Sequence, residues 1–194
     1  MTPTISKVIF VALVIGWYSI RYEYARRSRR ERIVSSARGP VEAALLLISL
    51  SGLGLVPLVY VATAIPRFAT YSFHPLFAWL GLLFASAALV MFHLTHRALG
   101  RNWSISLDVR ENHGLVTEGI YRRVRHPMYS AFWLWGIAQA LLLPNWIAGF
   151  AGLAGFGVLY FGRVAREERM MLETFGDSYR AYMARTGRVF PSVL

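Results

Sequence analysis

Cysteine is absent from this chain, which excludes disulfides and any metal site built on thiolates. Charge is thin as well: 16% of the 194 residues are Asp, Glu, Lys or Arg, against about 25% in soluble domains. Acidic residues are the scarcer sign, 10 against 21 basic ones, for a formal net charge of +11. An excess of that size would suit nucleic acid, but the apolar content argues against it. The basic residues instead cluster at the ends of apolar runs, so no nucleic-acid partner is expected. The longest polar segment of the second half, residues 100–127, holds neither G-x-G-x-x-G nor a P-loop, so a ligand there is held differently from a Rossmann ligand. No internal repeat is evident.

What remains is apolar. Hydrophobic residues make up 56% of the chain and the mean hydropathy is +0.43, the composition of an integral membrane protein. The length suits one domain, 1–194, with three spans in 1–99 and a more polar half in 100–194. Ile5 to Ile20 reads as a first transmembrane helix with its N-terminus outside. A cleaved signal peptide would carry its positive charge before the apolar run, whereas here seven Arg follow it between Arg21 and Arg38. That basic segment fits a juxtamembrane stretch touching anionic membrane lipid better than an RNA-binding arm.

Val41 to Ile65 is the second span, with a single charge, Glu42, at its entry and Pro57 in its middle. The loop Pro66 to Pro75 is aromatic and carries one Arg, as an outer interface would. Leu76 to Ala98 is the third span. His93 and His96 near its end are read as interfacial residues facing a partner helix or headgroups; no carboxylate or Cys accompanies them, and no metal is expected. Met128 to Leu143 and Trp146 to Gly162 are short apolar runs joined by Pro144-Asn145, which predicts a tight helical hairpin. Gly149, Gly152 and Gly155 would let its partner approach closely. From Arg163 the chain is amphipathic, and Asp177 is placed to cap a final short helix. The fold class is therefore all-α integral membrane, multi-pass, with about five transmembrane helices, the last two a tight hairpin. Five spans counted from an outside N-terminus leave only Lys7 and Arg67 on the outer side, so 21 − 2 = 19 basic residues face the cytoplasm.

Two polar segments then abut the two ends of one hairpin. Gly119 to Tyr129 packs three Arg, a His and two Tyr into eleven residues, and Arg163-Val164-Ala165-Arg166-Glu167-Glu168 begins the second segment. Arg163 and Glu167 stand at i, i+4, on one helix face, and Glu168 is turned about 100° away. An ionisable pair at a membrane boundary suggests function; a plain surface ion pair is the alternative. Together they predict a polar cytoplasmic pocket opening onto lipid, suited to group transfer onto a membrane-embedded acceptor.

Four blocks in order sharpen this. They are His113-Gly114-Leu115-Val116-Thr117-Glu118-Gly119-Ile120-Tyr121; Arg125-His126-Pro127-Met128-Tyr129; Arg163 with Glu167-Glu168; and Phe175-Gly176-Asp177-Ser178-Tyr179. The run resembles the isoprenylcysteine carboxyl methyltransferase family, related to membrane phospholipid N-methyltransferases, from about Gly100 onward. The resemblance implies an S-adenosylmethionine-dependent membrane methyltransferase with a cytoplasmic cofactor pocket and a lipophilic small-molecule or lipidated acceptor. It carries cofactor contacts onto His113, Gly114, Leu115, Val116, Tyr121, His126, Pro127, Met128, Tyr129 and Glu167. It makes Arg163 the substrate-side Arg, and Arg163 and Glu167 the catalytic candidates. A family Gln contact falls near Ser106, where no Gln stands. A carboxylate such as Glu167 can hold ribose hydroxyls or an ammonium by charge-assisted bonds, and Arg163 can orient a carboxylate. Methyl transfer to an ionised carboxylate needs no base. An amine acceptor would need one, with Glu167 or Glu168 as candidates. His126 could bond the cofactor's carboxylate or serve only structure, ahead of Pro127 at the first turn of a helix. Arg122, Arg123 and Arg125 are expected to face headgroups. A non-catalytic scaffold or transporter subunit is the competing class.

Overall fold

A computed structural model of the chain describes residues 1–28, 33–36, 39–100, 108–110 and 114–192. Each apolar run of the sequence folds as a helix. α1 is Pro3–Ser28, α2 Pro40–Leu50, α3 Val56–Thr63, α4 Pro75–Leu99, α5 Pro127–Leu142 and α6 Trp146–Arg185. α2 and α3 are one rod, joined by a π-helical turn, Ser51–Leu55, just ahead of Pro57. Proline brings no N–H and crowds the preceding turn, and the wider π turn absorbs that misfit. A carbonyl exposed at the turn finds a side-chain donor: Gln139 Nε2 on α5 donates to Gly52 O at 3.0 Å and to Ala148 O at 2.7 Å.

Among the described residues, four helices are long and apolar enough to cross a membrane: Pro3–Arg26, Pro40–Thr63, Pro75–Leu99 and Trp146–Arg185. α5 has 16 residues, about 24 Å at 1.5 Å per residue, short of a hydrocarbon core of about 30 Å. It packs against α1, α4 and α6, and Ala131, Trp135, Ala138 and Leu142 are buried there. The outer helices do the reverse, exposing Val8, Ile15, Leu47, Leu83 and Val90. Apolar surface of that extent fits lipid, not water. At 40 residues α6 is far longer than a bilayer needs, so its polar second half runs on beyond it. It breaks at Gly176, whose φ of 52° and ψ of −126° interrupt the helix and start a short final one. Asp177, in the first turn of that final piece, pairs with Arg180.

Hydropathy alone gives no strand, yet Ile33–Ser36 (β1) and Asp108–Arg110 (β2) pair antiparallel. Segments of four and three residues are too short to display a period of two.

The glycines of α6 serve two neighbours, not one. A Cβ on Gly149 would stand 2.7 Å from Leu143 O and one on Gly152 would stand 2.6 Å from Gln139 Oε1, both toward the hairpin. A Cβ on Gly155 would stand 2.7 Å from Ile48 O on α2. The expected close approach within the hairpin therefore holds for the first two, and the third admits α2.

The helix ends sort into two levels. At one, Ser6 Oγ donates to Leu142 O at 2.7 Å, Lys7 lies over the Tyr60 ring, and Asn145 Nδ2 donates to Pro66 O at 2.8 Å. Asn145 also caps α6, accepting from Ile147 N and Ala148 N. At the other level lie Tyr24 against His93 and His96, and Glu42 against Arg163. His96 is fully buried between helices, its Nδ1 2.8 Å from Phe92 O. Two levels, with the Arg-rich ends at one, fit the predicted antiparallel passage.

Candidate functional site

The site begins at the turn into α5. Gly119–Arg122 is a 3₁₀ turn, and Pro127 opens the helix, where a missing N–H costs nothing. The intervening residues are held by the C-terminal tail. Arg125 N donates to Gly187 O and His126 N to Arg188 O, each at 2.9 Å, and Gly187 N donates to Arg123 O at 3.2 Å. Ser130 Oγ adds a bond to Val189 O at 2.6 Å. From below, Tyr182 Oη donates to Tyr121 O at 2.6 Å. The tail thus forms one wall of the site.

On this frame two adjacent carboxylates meet different partners. Tyr129 Oη donates a short hydrogen bond to Glu167 Oε2, joining the two ends of the hairpin. His126 Nδ1 and Arg163 Nε each stand 3.9 Å from Glu167, the outer limit of an ion pair. Glu167 remains 26% exposed and so keeps acceptor capacity toward the open side. Glu168 is buried and saturated. It accepts from Arg125 Nε at 2.7 Å, from Arg188 Nη2 at 2.6 Å and Nε at 3.1 Å, and lies 3.2 Å from His126 Nε2. The bond from Arg188 to Glu168 holds the Arg188 guanidinium above its ordinary pKa. Burial first, then the charge of Glu167, keeps the Tyr121 hydroxyl well above its usual pKa, so it stays a neutral phenol.

Arg163 is buried and reaches a third carboxylate: its Nη1 is 3.1 Å from Glu42 Oε1 at the start of α2. Arg166 Nη2 lies 3.4 Å from Glu42 Oε2. The expected Arg163–Glu167 pair is therefore present but looser than Arg163–Glu42.

Tyr121, His126, Pro127 and Tyr129 are buried, Leu115, Val116 and Met128 half-buried, and Gly114 exposed on the irregular stretch that leads to the turn. Tyr129, His126, Arg163 and Glu167 come together at the head of the hairpin. His113 and Ser106 lie outside the described residues. Arg122 and Arg123 are exposed as expected, but Arg125 is not turned to headgroups. It reaches inward, because Glu168 and Thr186 O, the latter at 2.5 Å from Arg125 Nη1, offer it acceptors. Sequence reasoning missed Glu42 and Arg188. For Glu42 a signal existed, a lone charge at the mouth of an apolar span. For Arg188 none did, since backbone pairing with 123–126 leaves no periodicity.

Apolar helices of spanning length around a charged cluster at one level define a multi-pass integral membrane protein. The model of the Isoprenylcysteine carboxyl methyltransferase (ICMT) family matches residues 79–173. Protein-S-isoprenylcysteine O-methyltransferase B of Arabidopsis thaliana is 33% identical over 96 residues, covering 48% of this chain and 49% of that protein. The Schizosaccharomyces pombe protein-S-isoprenylcysteine O-methyltransferase is 30% identical over 119 residues, covering 60% of this chain and 48% of that protein. The chain thus spans about half the length of the curated relatives it matches. A solved eukaryotic intramembrane Ras methyltransferase, ICMT, superposes with a TM-score of 0.63 over 100% of this chain and 69% of its own, at 20% identity. That likeness is one of fold.

Proposed function

We propose that the chain transfers a methyl group from S-adenosylmethionine to the carboxylate of a lipophilic, isoprenylcysteine-type acceptor, at a pocket facing the cytoplasm. The observation that carries this is the convergence of Tyr129, His126 and Arg163 on Glu167 at the head of the hairpin. Charge supports the choice of acceptor. The linked cluster counts Arg125, Arg163, Arg166 and Arg188 against Glu42, Glu167 and Glu168. Counting these side chains alone the sum is 4 − 3 = +1, which attracts a carboxylate acceptor.

The donor set fits the cofactor. Glu167 has acceptor capacity left for ribose hydroxyls or an ammonium, and neutral Tyr121 and Tyr129 offer ring faces beside it. When bound, S-adenosylmethionine supplies a methyl group activated on a sulfonium. The chain's residues align the partners: Glu167 holds the donor, Tyr129 fixes Glu167, and Arg163 orients the acceptor's carboxylate in a fork. No residue need take a proton, since the acceptor oxygen is already ionised, so alignment and exclusion of water do the work. Glu168 is unsuited to act as a base because its oxygens are occupied by Arg125, Arg188 and His126.

The N-terminal spans 1–99 serve as the wall toward lipid and 100–194 as the catalytic half in this reading. Incubating membranes that contain the chain with methyl-labelled cofactor and an isoprenylcysteine acceptor tests it. The expected product releases its label in mild alkali, as a methyl ester does. A label that survives alkali points to an amine acceptor and overturns the carboxylate reading.

A further inference from the structure

Glu42 belongs to the first turn of α2, outside the segment matched by the family model, 79–173. Its side chain is 3% exposed, in a stretch otherwise free of charge. A carboxylate in a first helical turn is favoured by the helix dipole and is content in water. This one is instead withdrawn from water and divided between two cations of α6, Oε1 to Arg163 Nη1 at 3.1 Å and Oε2 to Arg166 Nη2 at 3.4 Å. Burying a charge is costly unless it is paired, so the contact needs a reason beyond propensity.

The packing shows how it is made. Glu42, Leu45, Ile48 and Gly52 recur at steps of three or four and line one face of the α2 rod. They meet α6 in antiparallel order. Gly52 approaches Ala151 and Gly155, Ile48 O approaches Gly155, the Leu45 side chain lies against Gly162, and Glu42 meets Arg163 and Arg166. The α2–α6 seam therefore delivers one carboxylate to the Arg that the proposed function assigns to the acceptor. Arg163 is then held from two sides, by Glu42 at 3.1 Å through Nη1 and by Glu167 at 3.9 Å through Nε. A guanidinium has five donors in a rigid fork. The charge of Glu42 at 3.1 Å from Nη1 sets where that fork lies.

We infer that Glu42 is the positioning residue that aims Arg163 at the acceptor's carboxylate, so that a span outside the family-matched segment sets acceptor recognition. The inference rests on the proposed function. Glu42 touches neither donor nor acceptor; it acts through Arg163, and Arg166 shares its charge so that the pair does not collapse into a closed ion pair.

The test uses the full chain in lipid nanodiscs with an N-acetylated isoprenylcysteine as acceptor. Glu42→Gln keeps the shape and removes the charge. The expected result is a drop of tenfold or more in kcat/KM for the acceptor, carried by its KM, with the Kd for S-adenosylhomocysteine within twofold of the unaltered chain. Glu42→Asp recovers part of the loss. In an Arg163→Lys background, Glu42→Gln costs less than threefold more, because the fork it aims is gone. If Glu42→Gln no longer binds S-adenosylhomocysteine at all, Glu42→Asp is put through the same measurements and must show the same KM-dominated loss. An acceptor kcat/KM within twofold of the unaltered chain, a loss that multiplies with that of Arg163→Lys, or an equal loss in S-adenosylhomocysteine affinity overturns the inference. An unaltered chain that methylates no isoprenylcysteine overturns the functional reading and takes this inference with it. Methylation by the unaltered chain with no effect of Glu42→Gln overturns the inference alone.

Discussion

Glu167 and Glu168 are neighbours on α6, and the turn of about 100° per residue sends them to different partners. Glu167 faces Tyr129 and stays partly open, while Glu168 is buried beneath Arg125, Arg188 and His126. Their substitutions should separate accordingly. Glu168→Gln leaves Arg125 without its counter-charge and unties the tail at Arg188. Breaking a buried pair costs about 3 kcal/mol or more, so the unfolding midpoint in detergent should fall clearly, and an unchanged midpoint would show the cluster to be ornamental to stability. Glu167→Ala leaves the tail bonded and removes the contact proposed for the cofactor. A bond to a charged group contributes about 1.5–3 kcal/mol, so titration with S-adenosylhomocysteine should read a Kd raised roughly tenfold or more. Arg163→Ala should do the opposite, with the cofactor Kd kept and kcat/KM for the acceptor lowered by about a hundredfold, the scale of a misplaced reactant. Equal loss of affinity in both variants would refute the division of roles.

The elements that carry these residues are fixed by backbone contact as much as by side chains. A Cβ at Gly155 would stand 2.7 Å from Ile48 O and 3.3 Å from the Gly52 Cα, both backbone atoms that cannot swing aside. Gly155→Val should therefore push α2 off α6, at the 1–3 kcal/mol or so of overpacking, and draw Glu42 away from Arg163. Gly157→Ala is the matched control, since its Cβ would meet the Trp133 ring at an ordinary 3.5 Å. Expression, melting and methyl transfer should all suffer in the first and persist in the second; similar behaviour of the two would mean that the seam is not tight. The helices themselves were legible because hydropathy and charge mark where each begins and ends, and the hairpin because Pro144-Asn145 interrupts two apolar runs. The meeting of Tyr129 with Glu167 followed from that hairpin. The partners of α6 were not legible: Gly149, Gly152 and Gly155 look alike in sequence, yet two face α5 and one faces α2, a choice made by tertiary packing. Nor could any local pattern show that residues 187–189 return to pair with 123–130. Arg125 was misjudged for that reason, because the acceptors that draw it inward come from α6 and the tail.

Across the whole molecule the helix ends fall at two levels, and the basic residues gather at one of them. Lys7 lies with Tyr60, and Ser6 with Leu142, at one level; Tyr24 with His96, and Glu42 with Arg163, lie at the other. Arg-rich segments adjoin the second level, and such segments stay on the cytoplasmic side during insertion. The pocket proposed at the head of the hairpin would then draw the proposed cofactor from the cytoplasm and the acceptor's apolar part from the bilayer. The missing cysteines make this directly testable, since every introduced thiol is the sole one. Phe68, 86% exposed in the loop between α3 and α4, reports on the first level. Asp177, its side chain 93% exposed beyond the break in α6, reports on the second. In intact cells Phe68→Cys should react with a membrane-impermeant maleimide while Asp177→Cys does not; in inside-out vesicles the pattern should reverse. Labelling of both positions from one side would break the antiparallel passage, and a reversed pattern would place the proposed pocket outside the cytoplasm and overturn the proposed cytoplasmic supply of S-adenosylmethionine.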